Sequence, residues 1–340
     1  MASEQVGSNN ASEAPRAMLG RLFMGQVIAQ ALHAAARLGV ADLLAAGPRP
    51  LAELATATGA DAGALGRLLR ALAGVGVFAE PEPDHFALTP LGEALRDDRP
   101  DSARPAAIIY GEEYRRALDG LLDSVRTGQP AFERVTGHSF FDHLARHPEV
   151  GARFDRNMSG RHAARNAAVA AAYDFSGIAR LVDVGGGEGA LLRAVLAAHP
   201  GLRGILADRP EVVERARLGA ADDRLECVAV DFFQAVPAGA DGYILASILH
   251  DWDNERAVAI LRAVRRAIAP GGRLLLVEEV LPPGDEPSPA RWLDLLMLVL
   301  TGGHERSEAE FGALLTEAGF ALTRVIPTAA SERIVEAAPA

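Results

Sequence analysis

Acid–base chemistry in this chain could come from four residues in its second half: His250, Glu278, Glu279 and Glu305. A histidine near the end of the apolar run ILASILHDWDNE titrates close to neutral pH and can take a proton from a hydroxyl. A carboxylate set against its ring would fix the tautomer and stabilise the protonated form. Glu278 and Glu279 close the run RLLLVEEVLP, where alternating side chains let only one of them face a crevice. Glu305 lies in the glycine-hinged loop TGGHERSEAEF. Plainer readings stand beside these: a structural histidine, and an acid near a helix start favoured by the helix dipole. Asp251 and Asp253 read more simply as caps of the following helix than as metal ligands, so the scheme requires no metal.

A second set of residues could hold a nucleotide-like ligand. LVDVGGGEG, from Leu181 to Gly189, is an apolar strand that ends in an acid and a burst of glycines before the helical run ALLRAVLAA. A strand, a glycine turn and a helix start let backbone press against a ligand. Gly185, Gly187 and Gly189 give G-x-G-x-G, with Asp183 two residues before the first glycine. This is not the G-x-G-x-x-G of dinucleotide folds, and alone it is also compatible with a tight strand–helix connection. Asp208 closes the next strand (GILAD) and can accept both hydroxyls of a ribose, or cap the helix that follows. Asp231 and Phe232 close CVAVDFF, an acid and a ring that suit an adenine, although Phe232 also reads as the edge of a core.

Those residues need a scaffold that brings strand ends together. Candidate strands at 180–184, 203–207, 225–230, 241–247 and 273–280 alternate with helices, which implies a doubly wound, Rossmann-like parallel sheet. Such a sheet binds ligands at the carboxyl ends of its strands, where these acids and the histidine fall. The final run GFALTRVIPTAASERIVEAAP predicts an antiparallel hairpin on the edge of the sheet. Upstream, residues 17–100 read as helices followed by a small hairpin over Phe78–Leu88, a winged-helix-like unit. Residues 101–172 read as a helical connector, with breaks at 127–130 and 147–148 and a last helix over Gly160–Tyr173, and 173–340 as the ligand-binding domain. Residues 1–16 are expected to form a disordered tail.

Composition narrows the possibilities. The chain has 340 residues, 49% of them hydrophobic, enough for two cores. No apolar run approaches the roughly 18 residues needed to cross a bilayer, and the polar start lacks the order of a signal peptide. With one cysteine, Cys227, no intramolecular disulfide is available, and a cytoplasmic protein is expected. The net charge is −11, and residues 1–100 hold 8 arginines against 11 acids. A winged helix that reads DNA needs a basic face, so this one is not expected to bind nucleic acid. Its first helix, apolar at Leu22, Val27, Ala31 and Ala35, predicts a surface buried against a second subunit.

Taken together, the motifs resemble those of S-adenosylmethionine-dependent small-molecule O-methyltransferases of the plant caffeate/flavonoid type, in their bacterial natural-product branch. The resemblance runs from about residue 20 to 328. It is carried by D-V-G-G-G-x-G at Asp183–Gly189, the acid at Asp208, D-F-F at Asp231–Phe233 and L-H-D-W at Leu249–Trp252. P-G-G-R at Pro270–Arg273, V-E-E-V-L-P at Val277–Pro282 and G-G-x-E-R at Gly302–Arg306 complete it. It implies a class I methyltransferase fold, an N-terminal dimerisation domain and a homodimer. It also implies methyl transfer to a phenolic or enolic hydroxyl of an aromatic secondary metabolite, leaving S-adenosylhomocysteine. His250 would be the general base, flanked by Glu278 and Glu305. Asp183, Gly185, Gly187, Asp208, Asp231, Phe232 and Ser247 would line the cofactor site. Phe154, Met158, Asp251, Trp292 and Met297 would border the acceptor pocket. The plant pattern has a lysine four residues before the histidine where this chain has Ala246, so adenine contacts there do not carry over. Members of this branch are also known as hydroxylases or cyclases, an alternative use of the same pocket.

Overall fold

The computed structural model describes residues 15–217 and 222–340. The tail expected at 1–16 lies outside the described residues up to 14, while Pro15 and Arg16 already belong to the first helix. The chain divides into two compact units, one ending at Gly111 and the other spanning Glu112–Ala340.

The first unit is helical with a small sheet. The helix Pro15–Leu38 stops at Gly39, whose φ of 66° suits a residue without a side chain. The helices Leu51–Thr58 and Ala62–Ala73 follow, the second capped by Asp61, which accepts the Ala64 N–H. Three strands, β1 (Arg49–Pro50), β2 (Phe78–Glu82) and β3 (His85–Leu88), pair antiparallel in the order β1-β3-β2. β1 is only two residues long and carries no period that a sequence could reveal. Leu54, Leu65, Leu69, Leu72, Phe78 and Phe86 form the core. On the first helix the expected apolar face splits: Ala35 is buried in this core, whereas Leu22, Phe23 and Val27 are more than half exposed. Arg70, on the helix Ala62–Ala73, is bonded to Glu80 and Asp84 of the hairpin.

The second unit holds the sheet. Five parallel strands, β4 (Arg180–Val184), β5 (Arg203–Asp208), β6 (Leu225–Ala229), β7 (Gly242–Ala246) and β8 (Arg273–Glu278), are extended by β9 (Phe320–Pro327) and β10 (Arg333–Pro339). Their order is β6-β5-β4-β7-β8-β10-β9, with β10 antiparallel to both β8 and β9. The hairpin thus sits on the edge as expected. The central strands are apolar on both faces because helices cover both, as parallel sheets require. One core gathers Val182, Tyr243, Leu245, Leu261 and Leu276; the other gathers Leu181, Leu192, Val195, Ile244 and Leu275. The connector ends in one helix, Pro148–Ala172, longer than the Gly160–Tyr173 stretch the sequence suggested. Pro148 occupies its first turn, where a missing N–H costs nothing, and Gly160 lies inside it.

Candidate active site

The strand order reverses at β4, which lies between β5 and β7. Loops leaving β4 and β7 therefore diverge and open a crevice at the carboxyl end of the sheet. A cavity of about 910 Å³ occupies it. The helix Pro148–Ala172 forms one wall, presenting Phe154, Asp155, Met158, His162, Arg165 and Asn166. These positions recur at helical spacing, so one face of one helix supplies them all.

The glycine turn forms the floor. Gly185 and Gly187 have φ of 72° and 60°, the left-handed region that favours glycine. A Cβ at Gly185 would also come within 2.5 Å of Ile248 Cδ1. Asp208 fixes the turn from the end of β5: its Oδ2 accepts the Gly187 N–H at 2.8 Å and its Oδ1 the Arg209 N–H at 2.7 Å. Each oxygen keeps lone-pair capacity for a ligand hydroxyl. Burial raises the Asp208 pKa, and the Arg209 and Gly187 N–H groups oppose that rise.

Asp183 is fully buried, and neither of its oxygens has a hydrogen-bond partner. Burial pushes its pKa up to about 7, with Arg165 pulling the other way. Asp231 also lines the cavity, but its carboxylate already accepts the Phe233 N–H at 3.0 Å and the Gln234 amide at 2.8 Å. It builds the turn that presents Phe232, whose ring is beside Gly185 and Trp252. Ser247 has a φ of 55°, and its hydroxyl accepts from Arg165 Nη1 at 2.8 Å.

β7 ends at Ala246, so His250 lies beyond the strand, in the short turn Leu249–Asp251. Its Nδ1 is 2.7 Å from Glu305 Oε1, and the ring borders the cavity. In the neutral ring Nδ1 thus donates to the carboxylate, which leaves Nε2 as the acceptor nitrogen. Asp251 Oδ1 is 3.9 Å from that Nε2 and Asp251 lines the cavity, whereas Asp253 caps the next helix through the Arg256 N–H. Burial opposes protonation of His250, but Asp251, Glu305 and Glu278 outweigh it and raise the pKa to about 10. Among the described residues, His250, Glu278 and Glu305 place ligand atoms within 4.8 Å of one another.

Glu278 flanks His250 and also holds the backbone of its turn. It is wholly buried, and its Oε1 accepts the N–H groups of Ile248 at 3.0 Å and Leu249 at 2.8 Å. Its other oxygen is 4.0 Å from His250 Nδ1. Of the adjacent pair, Glu279 is the one that lines the cavity.

Phe154, Met158, Asp251 and Met297 line the cavity as expected; Trp292 does not. The helix Pro289–Leu300 turns Leu293, Leu296, Met297 and Leu300 inward. Trp292 is out of phase with that spacing and is 75% exposed.

Comparison with known proteins identifies the family. Residues 119–321 match the O-methyltransferase domain and residues 21–98 the O-methyltransferase dimerisation domain. The chain belongs to the O-methyltransferase family. It is 48% identical to a phenazine O-methyltransferase of Lysobacter antibioticus, over 98% of this chain and 99% of that one. The crystal structure of LaPhzM superposes with a TM-score of 0.93 at 47% identity, covering 96% of this chain and 100% of that chain. A neocarzinostatin-biosynthesis O-methyltransferase, crystallised with S-adenosylmethionine and 2-hydroxy-5-methyl naphthoic acid, gives 0.82 at 37% identity, covering 99% and 100%. The methyltransferase uses S-adenosylmethionine, and its cavity suits that molecule: Asp183 offers an unpartnered buried carboxylate to an ammonium, and Asp208 faces the room a ribose needs.

Three positions of this methyltransferase site had no role assigned from sequence. Arg306, fully buried, donates to the carbonyls of Leu249 and Trp252, both at 2.8 Å, and so holds both ends of the histidine turn. A Cβ at Gly303 would overlap the His250 carbonyl oxygen and the Asp251 carbonyl carbon. Gly303 therefore serves close approach, while Gly302 takes a φ of 77° that favours glycine. Arg165 is the third. G-G-x-E-R was the available signal for two of them; nothing in the sequence marked Arg165.

Proposed function

We propose that this enzyme methylates a phenolic or enolic hydroxyl on a fused-ring aromatic natural product, with His250 as general base. The 2.7 Å contact between His250 Nδ1 and Glu305 carries the reading, because it leaves Nε2 as the proton acceptor beside the cavity. S-adenosylmethionine supplies, when bound, an electrophilic methyl group on a positively charged sulfur. Asp208 would hold its ribose and Phe232 would pack against its adenine. Asp231 carries the turn under that ring, lines the same space and keeps lone-pair capacity for the adenine amino group.

A free phenol has a pKa of about 10, so full ionisation at neutral pH costs roughly 4 kcal/mol. A positioned histidine typically contributes about 10²–10⁴ in rate, and alignment in a dry pocket contributes more. Phe141, Phe154, Trp252, Met158 and Met297 give the acceptor side flat and polarisable walls. Two of its relatives are named for acceptors of that shape, a phenazine and a naphthoate, and a third for a single-ring hydroxybenzoate.

The N-terminal unit supports a homodimer, since its first helix leaves Met18, Leu19, Leu22, Phe23, Met24 and Val27 exposed. No helix of the described residues is long and apolar enough to cross a membrane, and the single cysteine suits a cytoplasmic site of action.

The deciding experiment is His250→Ala assayed with labelled methyl donor against a panel of hydroxylated phenazines, naphthoates and simple phenols. Turnover should fall by about 10²-fold or more with cofactor affinity retained. Near-wild-type turnover would remove His250 from the chemistry. A product heavier by one oxygen, or an isomer, would favour hydroxylation or cyclisation instead.

A further inference from the structure

Glu305 holds the His250 ring with one oxygen, and nothing holds its other. The side chain is wholly buried, Oε1 makes the 2.7 Å contact with Nδ1, and Oε2 has no hydrogen-bond partner. The aim of the carboxylate is therefore set by the backbone that carries it. Two neighbours in that loop are fixed to the sheet and the histidine turn. The Arg306 carbonyl accepts the Leu281 N–H at 3.0 Å, its side chain grips the turn, and Gly303 packs against the His250 carbonyl. The Glu305 N–H goes elsewhere, donating to Asp294 Oδ1 at 2.8 Å. Asp294 belongs to the helix Pro289–Leu300, beside Leu293, Leu296 and Met297, which that helix presents to the cavity. The same helix packs against the turn Leu249–Asp251.

We propose that Asp294 is a positioning residue for the base. It ties the backbone of Glu305 to the helix that walls the cavity, and so keeps the Glu305 carboxylate in line with His250 Nδ1. This rests on His250 as the base. Asp294 does not itself line the cavity, so its route to the reaction runs through Glu305. What the bond requires is an oxygen at that place rather than a charge. The half-buried Asp294 carboxyl is pushed up in pKa by burial, with the Glu305 N–H opposing and the Glu305 charge adding to the rise. A second carboxylate beside Glu305 is thus an electrostatic burden that the hydrogen bond offsets. A plain loop cap would lower stability whatever side chain stood at 305. A positioning residue loses its effect on rate once the carboxylate it aims is gone.

The test is a double-mutant cycle in kcat, run with labelled methyl donor and the best acceptor from the panel above. Asp294→Ala should lower kcat by about tenfold, since a misplaced catalytic group is costly even when the shift is small. Acceptor KM and the affinity for S-adenosylhomocysteine should stay within about threefold, the split expected of a group that acts on the chemical step. Added to Glu305→Ala, the same change should cost no more than about twofold, because coupled residues are not additive. Asp294→Asn, which keeps an oxygen for the N–H, should recover kcat to within about threefold of the wild type. A wild-type kcat in Asp294→Ala overturns the proposal. So does a tenfold loss that persists in the Glu305→Ala background, or an Asp294→Asn variant as slow as Asp294→Ala. If Asp294→Ala does not fold, Asp294→Glu, whose longer side chain carries the oxygen past the N–H, replaces it under the same criteria. Near-wild-type turnover by His250→Ala would refute the base itself, a separate result.

Discussion

Glu278 Oε1 is 2.8 Å from the backbone nitrogen of Leu249, the residue just before the histidine. This acid therefore holds the backbone of the histidine turn, while Glu305 holds the ring. The two carboxylates that the sequence placed side by side around His250 should separate on mutation. Glu278→Ala leaves two buried N–H groups without an acceptor, each worth about 1–3 kcal/mol, and should lower the melting temperature clearly. Glu278→Gln keeps an oxygen for them and should melt closer to the wild type. Glu305→Gln should melt near the wild type yet lower kcat by about tenfold or more, with little change in the acceptor KM. Equal effects of the two glutamine variants on kcat would contradict this division.

The same cluster sets the pH dependence. Asp251, Glu305 and Glu278 raise His250 to about 10 against the opposing effect of burial. A base works only when deprotonated, so kcat/KM of the free enzyme should climb as pH rises toward that value. Glu305→Gln removes a partner that favours the protonated ring, so the rising limb should move to lower pH while its plateau drops. A limb that stays in place would show that Glu305 does not act on the ring. Stability follows the opposite course. A histidine raised in the folded state contributes stability that is present in full below its unfolded pKa of about 6.5 and is lost as pH rises through about 10.

Gly303 and Gly312 make a matched pair. A side chain at Gly303 would overlap the His250 carbonyl oxygen, with backbone rather than a flexible side chain in the way. Gly303→Ala should cost about 1–3 kcal/mol and displace the histidine turn, lowering kcat by 10²-fold or more. Gly312 lies inside the helix Glu308–Glu317 with open space around it. Gly312→Ala should raise stability by about 0.5–1 kcal/mol and leave kcat unchanged. Thermal melts and steady-state rates on both variants check the pair.

The convergence of His250, Glu278 and Glu305 also resembles a ligand set for a metal ion. The 2.7 Å contact already engages His250 Nδ1, and one oxygen of each glutamate is taken by that contact or by backbone N–H groups, leaving the second oxygen of each without a partner. Exhaustive dialysis against a chelator should therefore leave kcat unchanged, and added magnesium or zinc should not stimulate it. A rate restored only by a metal would replace the hydrogen-bond reading.

Much of this site was legible because its signals are local. Glycine spacing after an apolar run, acids at strand ends and a histidine in L-H-D-W each sit in one short stretch of sequence. Register along β5 and β7 then fixed where Asp208 and Ser247 emerged. What stayed hidden depends on tertiary approach. The Leu249 and Trp252 carbonyls that Arg306 holds are more than fifty residues away, and the need for glycine at 303 comes from the backbone of residues 250–252. Arg165 reads as one more arginine on a helix until that helix is laid across the ends of the strands. Trp292 misled in the opposite direction, since a tryptophan beside Met297 suggests a pocket until the helical phase is known.

The first helix bears on the assembled enzyme. Six large apolar side chains between Met18 and Val27 are each more than half exposed, beyond what a monomer normally leaves to water. Ala35 and Ala36, further along the same helix, are buried in the core of their own unit, so the helix is anchored at one end and unpartnered at the other. Each Leu, Phe or Val buried against a second copy would contribute about 1.5–3 kcal/mol. Leu22→Glu combined with Phe23→Glu should therefore convert a dimer to a monomer in sedimentation at micromolar concentration. Because neither side chain takes part in the core of the unit, the helix content of the variant should match the wild type. A double variant that still sediments as a dimer would place the interface elsewhere on the chain.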